Sequence, residues 1–135
     1  MPKGDPKDEY LDASANQRQF MTMRFAQLTV FLAISGFLVN ILFSESIVLP
    51  KYGDVVLKAG GLIVALLFWV HQERTMAYWN HFVQRAAELE KELGFSQYRS
   101  RPSAGLISSF NAMRAFFAIL VLFWISTFFW ISAAS

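Results

Sequence analysis

The 135-residue chain contains no cysteine. That excludes disulfides, thiolate nucleophiles, and zinc, iron–sulfur or haem centres held by thiolates. It carries no information about compartment. Charge is also scarce. Only 16% of the residues are charged, where a soluble domain has about 25%. The formal net charge is +2, so the chain as a whole is not built to hold a polyanion. Nucleic acid is not expected as a partner.

Catalytic patterns are missing too. There is no glycine-rich phosphate loop, no HExxH and no GxSxG. Ser108 and Ser109 have no basic neighbour to activate them. His71 and His81 are the two histidines. Ten residues of helix set them about 15 Å apart along the axis, too far to share a metal within one chain. We therefore assign no catalytic, cofactor-binding or metal residue and expect no enzyme.

What the chain has in excess is apolar length. Hydrophobic residues make up 55%, against about 45–50% in soluble proteins, and they are clustered. The first run, Phe25 to Phe43, is uncharged and long enough for a hydrocarbon core of about 30 Å. A secretory signal peptide competes with this reading. The polar leader is too long for one, and no small-x-small cleavage site follows cleanly. The second run, Val55 to Val70, contains Lys58, whose ammonium can snorkel to the interface. The third, Ala115 to Ala134, is uncharged. No carboxylate, lysine or histidine lies near the middle of any run. Pumps and coupled transporters rely on such groups.

The expected fold is therefore an all-α integral membrane protein with three transmembrane helices. Its segments read as follows: a polar N-terminal segment over 1–23, flexible at its start and helical from a cap at Asp12 or Ser14; a first transmembrane helix over 24–43; a short outer loop over 44–54; and a second helix over 55–93. Apolar character stops at His71, yet no glycine or proline intervenes before Gly94. The second helix should thus continue beyond the membrane as a rod. Gly94 is placed to end it in a Schellman turn, with Phe95 packing back. Next come a loop and an amphipathic lead-in over 94–114 and a third transmembrane helix over 115–134.

Ten of the twelve basic residues fall before span one or between spans two and three, and only Lys51 and Lys58 fall in or beside the short connection. The positive-inside rule then places the N-terminus in the cytoplasm and the C-terminus outside. The expected location is a bacterial inner membrane. Arg24 and Arg114 are expected to anchor the inner ends of spans one and three, and Trp130 the outer end of span three.

Helix faces supply the remaining candidates. Ala26, Thr29, Ala33, Gly36 and Asn40 follow a 3, 4, 3, 4 spacing. Such a small and polar stripe allows another helix close approach within a membrane, as does the Gly61/Ala65 pair on span two. Thr75, Trp79, Phe82, Ala86, Leu89 and Leu93 form a heptad-like seam on the rod. The N-terminal segment, the lead-in to span three or a second protomer is expected to cover it. Glu88, Glu90 and Glu92 end the rod, as a solvated tip or a patch for a basic partner. Arg99 and Arg101 are placed to fold back on them. Aromatics from Phe116 to Trp130 surround span three, suited to lipid or to a bound hydrophobic pigment.

These features point first to an accessory, structural or regulatory subunit. Its partners would be the bilayer and other membrane proteins, or copies of itself. The layout over roughly 24–93, two spans followed by a cytoplasmic helix, resembles the SLATT-type membrane effectors of bacterial conflict systems. That resemblance implies a homo-oligomeric, membrane-permeabilising assembly, with Thr29, Ser35 and Asn40 as the available polar lining. The third span departs from the two-span plan.

Overall fold

The computed structural model describes residues 4–100 and 108–130, the last of these by its backbone alone. The described residues form three α-helices and no strand: α1 (Pro6–Phe43), α2 (Gly53–Leu93) and α3 (Ser109–Trp130). Each is long and apolar enough to cross a membrane. Only 11% of the most apolar stretch of α1 and 17% of those of α2 and α3 are buried inside the chain. A water-soluble core would cover these stretches, so their exposure is compatible with a membrane-embedded protein.

The first helix begins well before the expected cap at Asp12 or Ser14. Asp5 is the cap. Its Oδ1 accepts the N–H of Lys7 at 2.9 Å, satisfying a donor that the helix itself leaves open. Pro6 occupies the first helical position, where its missing N–H is no loss and its fixed φ suits the helix. Asp8 and Glu9 in the first turn complement the dipole. From there α1 continues unbroken for 38 residues.

Residues 44–52 connect α1 to α2, slightly shorter than the 44–54 loop expected. The turn closes through Gly53 N–H to the Pro50 carbonyl at 2.6 Å. At the other end of α2, Gly94 takes a left-handed φ of 76°. The N–H groups of Gly94 and Phe95 both donate to the Glu90 carbonyl, at 3.0 and 3.2 Å. The second of these is the 6→1 bond of a Schellman ending.

Helix α3 starts earlier than a span over 115–134 implies. Ser108 caps it, its Oγ accepting the N–H of Asn111 at 3.1 Å. Phe110, Met113 and Arg114 therefore belong to the first turns of α3 itself. The rest of the expected lead-in, 103–107, and the end of the expected span, 131–134, lie outside the described residues.

The chain divides into two compact units. Residues 27–71 with 108–130 form an apolar three-helix unit. Its core is Phe31 of α1, Ala65 of α2, and Phe117 and Trp124 of α3, all at most 2% exposed. The Phe31 ring lies 5.1 Å from both Phe68 and Phe117. Lys58 is buried at the start of α2 and its ammonium pairs one turn back with Asp54. That pair satisfies a charge that burial alone would penalise. Residues 4–26 with 72–100 form a charge-rich unit, an antiparallel pair of helical segments with a terminal loop.

Candidate functional site

The apolar unit treats its two sets of small residues differently. Gly61 and Ala65 are buried. A Cβ on Gly61 would overlap the Trp124 indole, so the pair is spent on bringing α3 against α2. The α1 stripe is not used in this way. Ala26, Thr29, Ala33, Gly36 and Asn40 are all exposed, and a Cβ on Gly36 would meet nothing within 4 Å. The inward face of α1 in this unit is instead Phe31 and Ser35, flanked by Leu28, Leu38, Val39 and Leu42.

This separates the polar residues of span one. Thr29 and Asn40 share the outward stripe, eleven residues and three turns apart. Ser35 is 7% exposed and faces the core, so it cannot line a channel together with them. The aromatics of α3 are likewise unequal. Phe117 and Trp124 are buried, whereas Phe129 is 76% exposed.

In the charge-rich unit, α1 presents Tyr10, Ala13, Ser14, Gln17, Phe20 and Met21 as one stripe of buried and half-buried residues. The facing stripe of α2 is the seam. Thr75, Ala86 and Leu89 are buried, and Trp79, Phe82 and Leu93 are half-buried. The contacts fix an antiparallel register. The Phe20 ring stacks on Tyr78 and Phe82 at 5.8 and 5.6 Å. Two turns and more toward the N-terminus, Glu9 meets Arg85 and Tyr10 meets Glu90. The N-terminal part of α1 thus lies against the 78–90 part of α2 within one chain.

Glu90 is the centre of this end. Its residue is fully buried. Oε1 accepts the Tyr10 hydroxyl at 3.3 Å and the Tyr98 N–H at 2.9 Å. Oε2 accepts the N–H groups of Tyr98 and Arg99, both at 3.1 Å. These charge-assisted bonds offset removal of the carboxylate from water. The Tyr10 ring adds contacts to Phe95 and Tyr98, with centroids 5.7 and 6.1 Å apart. Burial and the adjacent Glu90 carboxylate hold the Tyr10 phenol above its ordinary value.

This arrangement corrects the view of Glu88, Glu90 and Glu92 as one solvated tip or acidic docking patch. Glu90 faces inward. Glu88 accepts Arg85 Nη1 at 3.1 Å, and the same guanidinium reaches Glu9 through Nε at 2.6 Å. The hydrogen bond from Arg85 holds the Glu9 carboxyl below its usual range, and both carboxylates raise Arg85 further. Arg99 folds back, but by its backbone N–H. Arg101 lies outside the described residues. The Phe95 ring packs on Tyr10.

Beside this cluster, Lys7, Tyr10, Leu11, Phe95, Ser96 and Gln97 line an open groove of about 550 Å³. Leu11 and Phe95 are 55% and 52% exposed. Of the expected anchors, Arg24 is half-buried and Arg114 is exposed, its guanidinium 5.4 Å from the Phe110 ring. The Trp130 side chain lies outside the described residues. Among the described residues, no group of three or more His, Asp or Glu side chains is arranged to hold a metal.

Sequence periodicity named Thr75, Ala86 and Leu89, which are buried, and missed the buried Met76 and Val83 as well as Tyr10, Phe31 and the role of Glu90. The only local sign for Glu90 was a carboxylate four residues before a glycine C-cap, a place its own dipole disfavours. The chain matches no family model, no curated protein and no solved structure.

Proposed function

We propose that the protein is a small, non-catalytic, multi-pass subunit of a bacterial inner membrane that packs against a membrane protein partner through α1. One observation carries this reading. The stripe Ala26, Thr29, Ala33, Gly36 and Asn40 is outward-facing, while the other small pair, Gly61 and Ala65, is consumed inside the chain. Lipid tails are as apolar as leucine, so helices in a bilayer associate by close packing and hydrogen bonds. A face of small residues with Thr29 and Asn40 suits that better than it suits lipid. In this reading the N-terminus and the charge-rich unit are cytoplasmic, following the distribution of basic residues. Native mass spectrometry after gentle extraction tests it. A second polypeptide in fixed ratio is the expected result.

A second reading is a homo-oligomeric channel or permeabilising assembly. It draws on Thr29 and Asn40 sharing one exposed face of α1. Here Asn40→Leu abolishes conductance, and a single homo-oligomeric mass replaces the mixed one.

A further inference from the structure

One carboxylate in the charge-rich unit joins three pieces of chain. Glu90 stands on the last turns of α2, Tyr10 on the first turns of α1, and Tyr98 and Arg99 on the loop beyond Gly94. We propose that Glu90 is a coupling clasp: seating of the first turns of α1 and folding of the 94–100 loop form one equilibrium, so that release of either loosens the other.

The geometry supports this from both sides. A fully buried carboxylate is tolerated only while its donors are in place. Withdrawing Tyr10 removes one donor, opens Oε1 to water and strips the aromatic cover from Phe95 and Tyr98. Unfolding the loop removes the Tyr98 and Arg99 donors and two of the rings that pack on Tyr10. Among the described residues, little bulk is buried at this end of α1. Its buried residues there are the small Ala13 and Ser14. The Glu9–Arg85 pair is nearly half exposed, and exposed pairs contribute little. The next large contact is Phe20, nearly three turns away. The first turns of α1 can therefore part from α2 as a strap. Leu89, buried and sharing a cleft with Pro6 and Glu9, would be uncovered with them. The strap thus acts as an intramolecular cover over the distal part of the seam.

Backbone amide hydrogen exchange on the full chain in detergent micelles tests the coupling. Tyr10→Phe keeps the ring and removes the hydroxyl. It is expected to speed exchange at Tyr98 and Arg99 by about tenfold, the factor expected from one hydrogen bond to a charged group. Gly94→Ala perturbs the loop while leaving the Tyr10 and Glu90 side chains in place, because its φ of 76° disfavours a side chain at position 94. It is expected to speed exchange over Leu11–Ser14, since coupling is reciprocal. Amides of α3 should keep wild-type rates in both variants. Faster exchange confined to each variant's own segment would overturn the proposal, as would a uniform rise through all three helices.

Discussion

Gly61 of α2 lies so close to the Trp124 indole of α3 that a methyl group on Gly61 would overlap the ring. Trp124 is 1% exposed, so the ring has no free side to move toward. Gly61→Ala should destabilise the apolar unit by about 1–3 kcal/mol, the usual range for overpacking. Trp124→Phe alone should also destabilise, by leaving a cavity. The double variant should lose less than the sum, because the smaller ring makes room for the methyl. Reversible unfolding in mixed micelles measures all three. Additive losses would show that the two residues do not share this contact.

Tyr10 is expected to ionise later than an ordinary tyrosine. Its pKa is raised above 10.0 by burial and by Glu90. A group whose folded value is raised contributes stability that is complete below the unfolded pKa and lost as pH rises through the folded one. The clasp should therefore hold through neutral pH and fail in the alkaline range. Phenolate absorbance should show a late step that Tyr10→Phe removes and Glu90→Gln moves to lower pH.

The Glu9–Arg85 pair behaves in the opposite sense. Arg85 lowers the Glu9 pKa, so its contribution is present above the unfolded carboxyl value and lost as pH falls through the lowered one. Both side chains are exposed, and salt screens such pairs. Glu9→Gln should change unfolding far less than Glu90→Ala, and added salt should shrink the difference between wild type and Glu9→Gln. A large, salt-independent effect would contradict this.

Orientation has a direct test because the chain lacks cysteine. Glu45→Cys marks the α1–α2 connection and Ser96→Cys marks the loop after α2. The proposed topology predicts labelling of Glu45→Cys by an impermeant reagent added to intact cells, and of Ser96→Cys only after permeabilisation. The reverse pattern would invert the topology.

Hydrophobic run lengths made the three helices legible, because only a helix can close its own hydrogen bonds across a bilayer. Gly94 was legible as a helix end for an equally local reason. The start of α1 was visible in Asp5–Pro6 but hidden by the charge around it, which reads as disorder until the cap is recognised. The inward face of α3 was not legible. Aromatics on all sides leave no periodicity to separate Phe117 and Trp124 from Phe129. Glu90 was missed because its partners are a side chain eighty positions away and two backbone N–H groups, which leave no mark in a periodicity count.

The central claim is that the outward stripe of α1 meets a protein. A photoreactive amino acid in place of Ala33 tests it in the native membrane, with the same probe at Ile119, an exposed position on α3, as the lipid-facing comparison. A discrete adduct with a second polypeptide is expected from position 33 and none from position 119. Lipid adducts alone at both positions would contradict it.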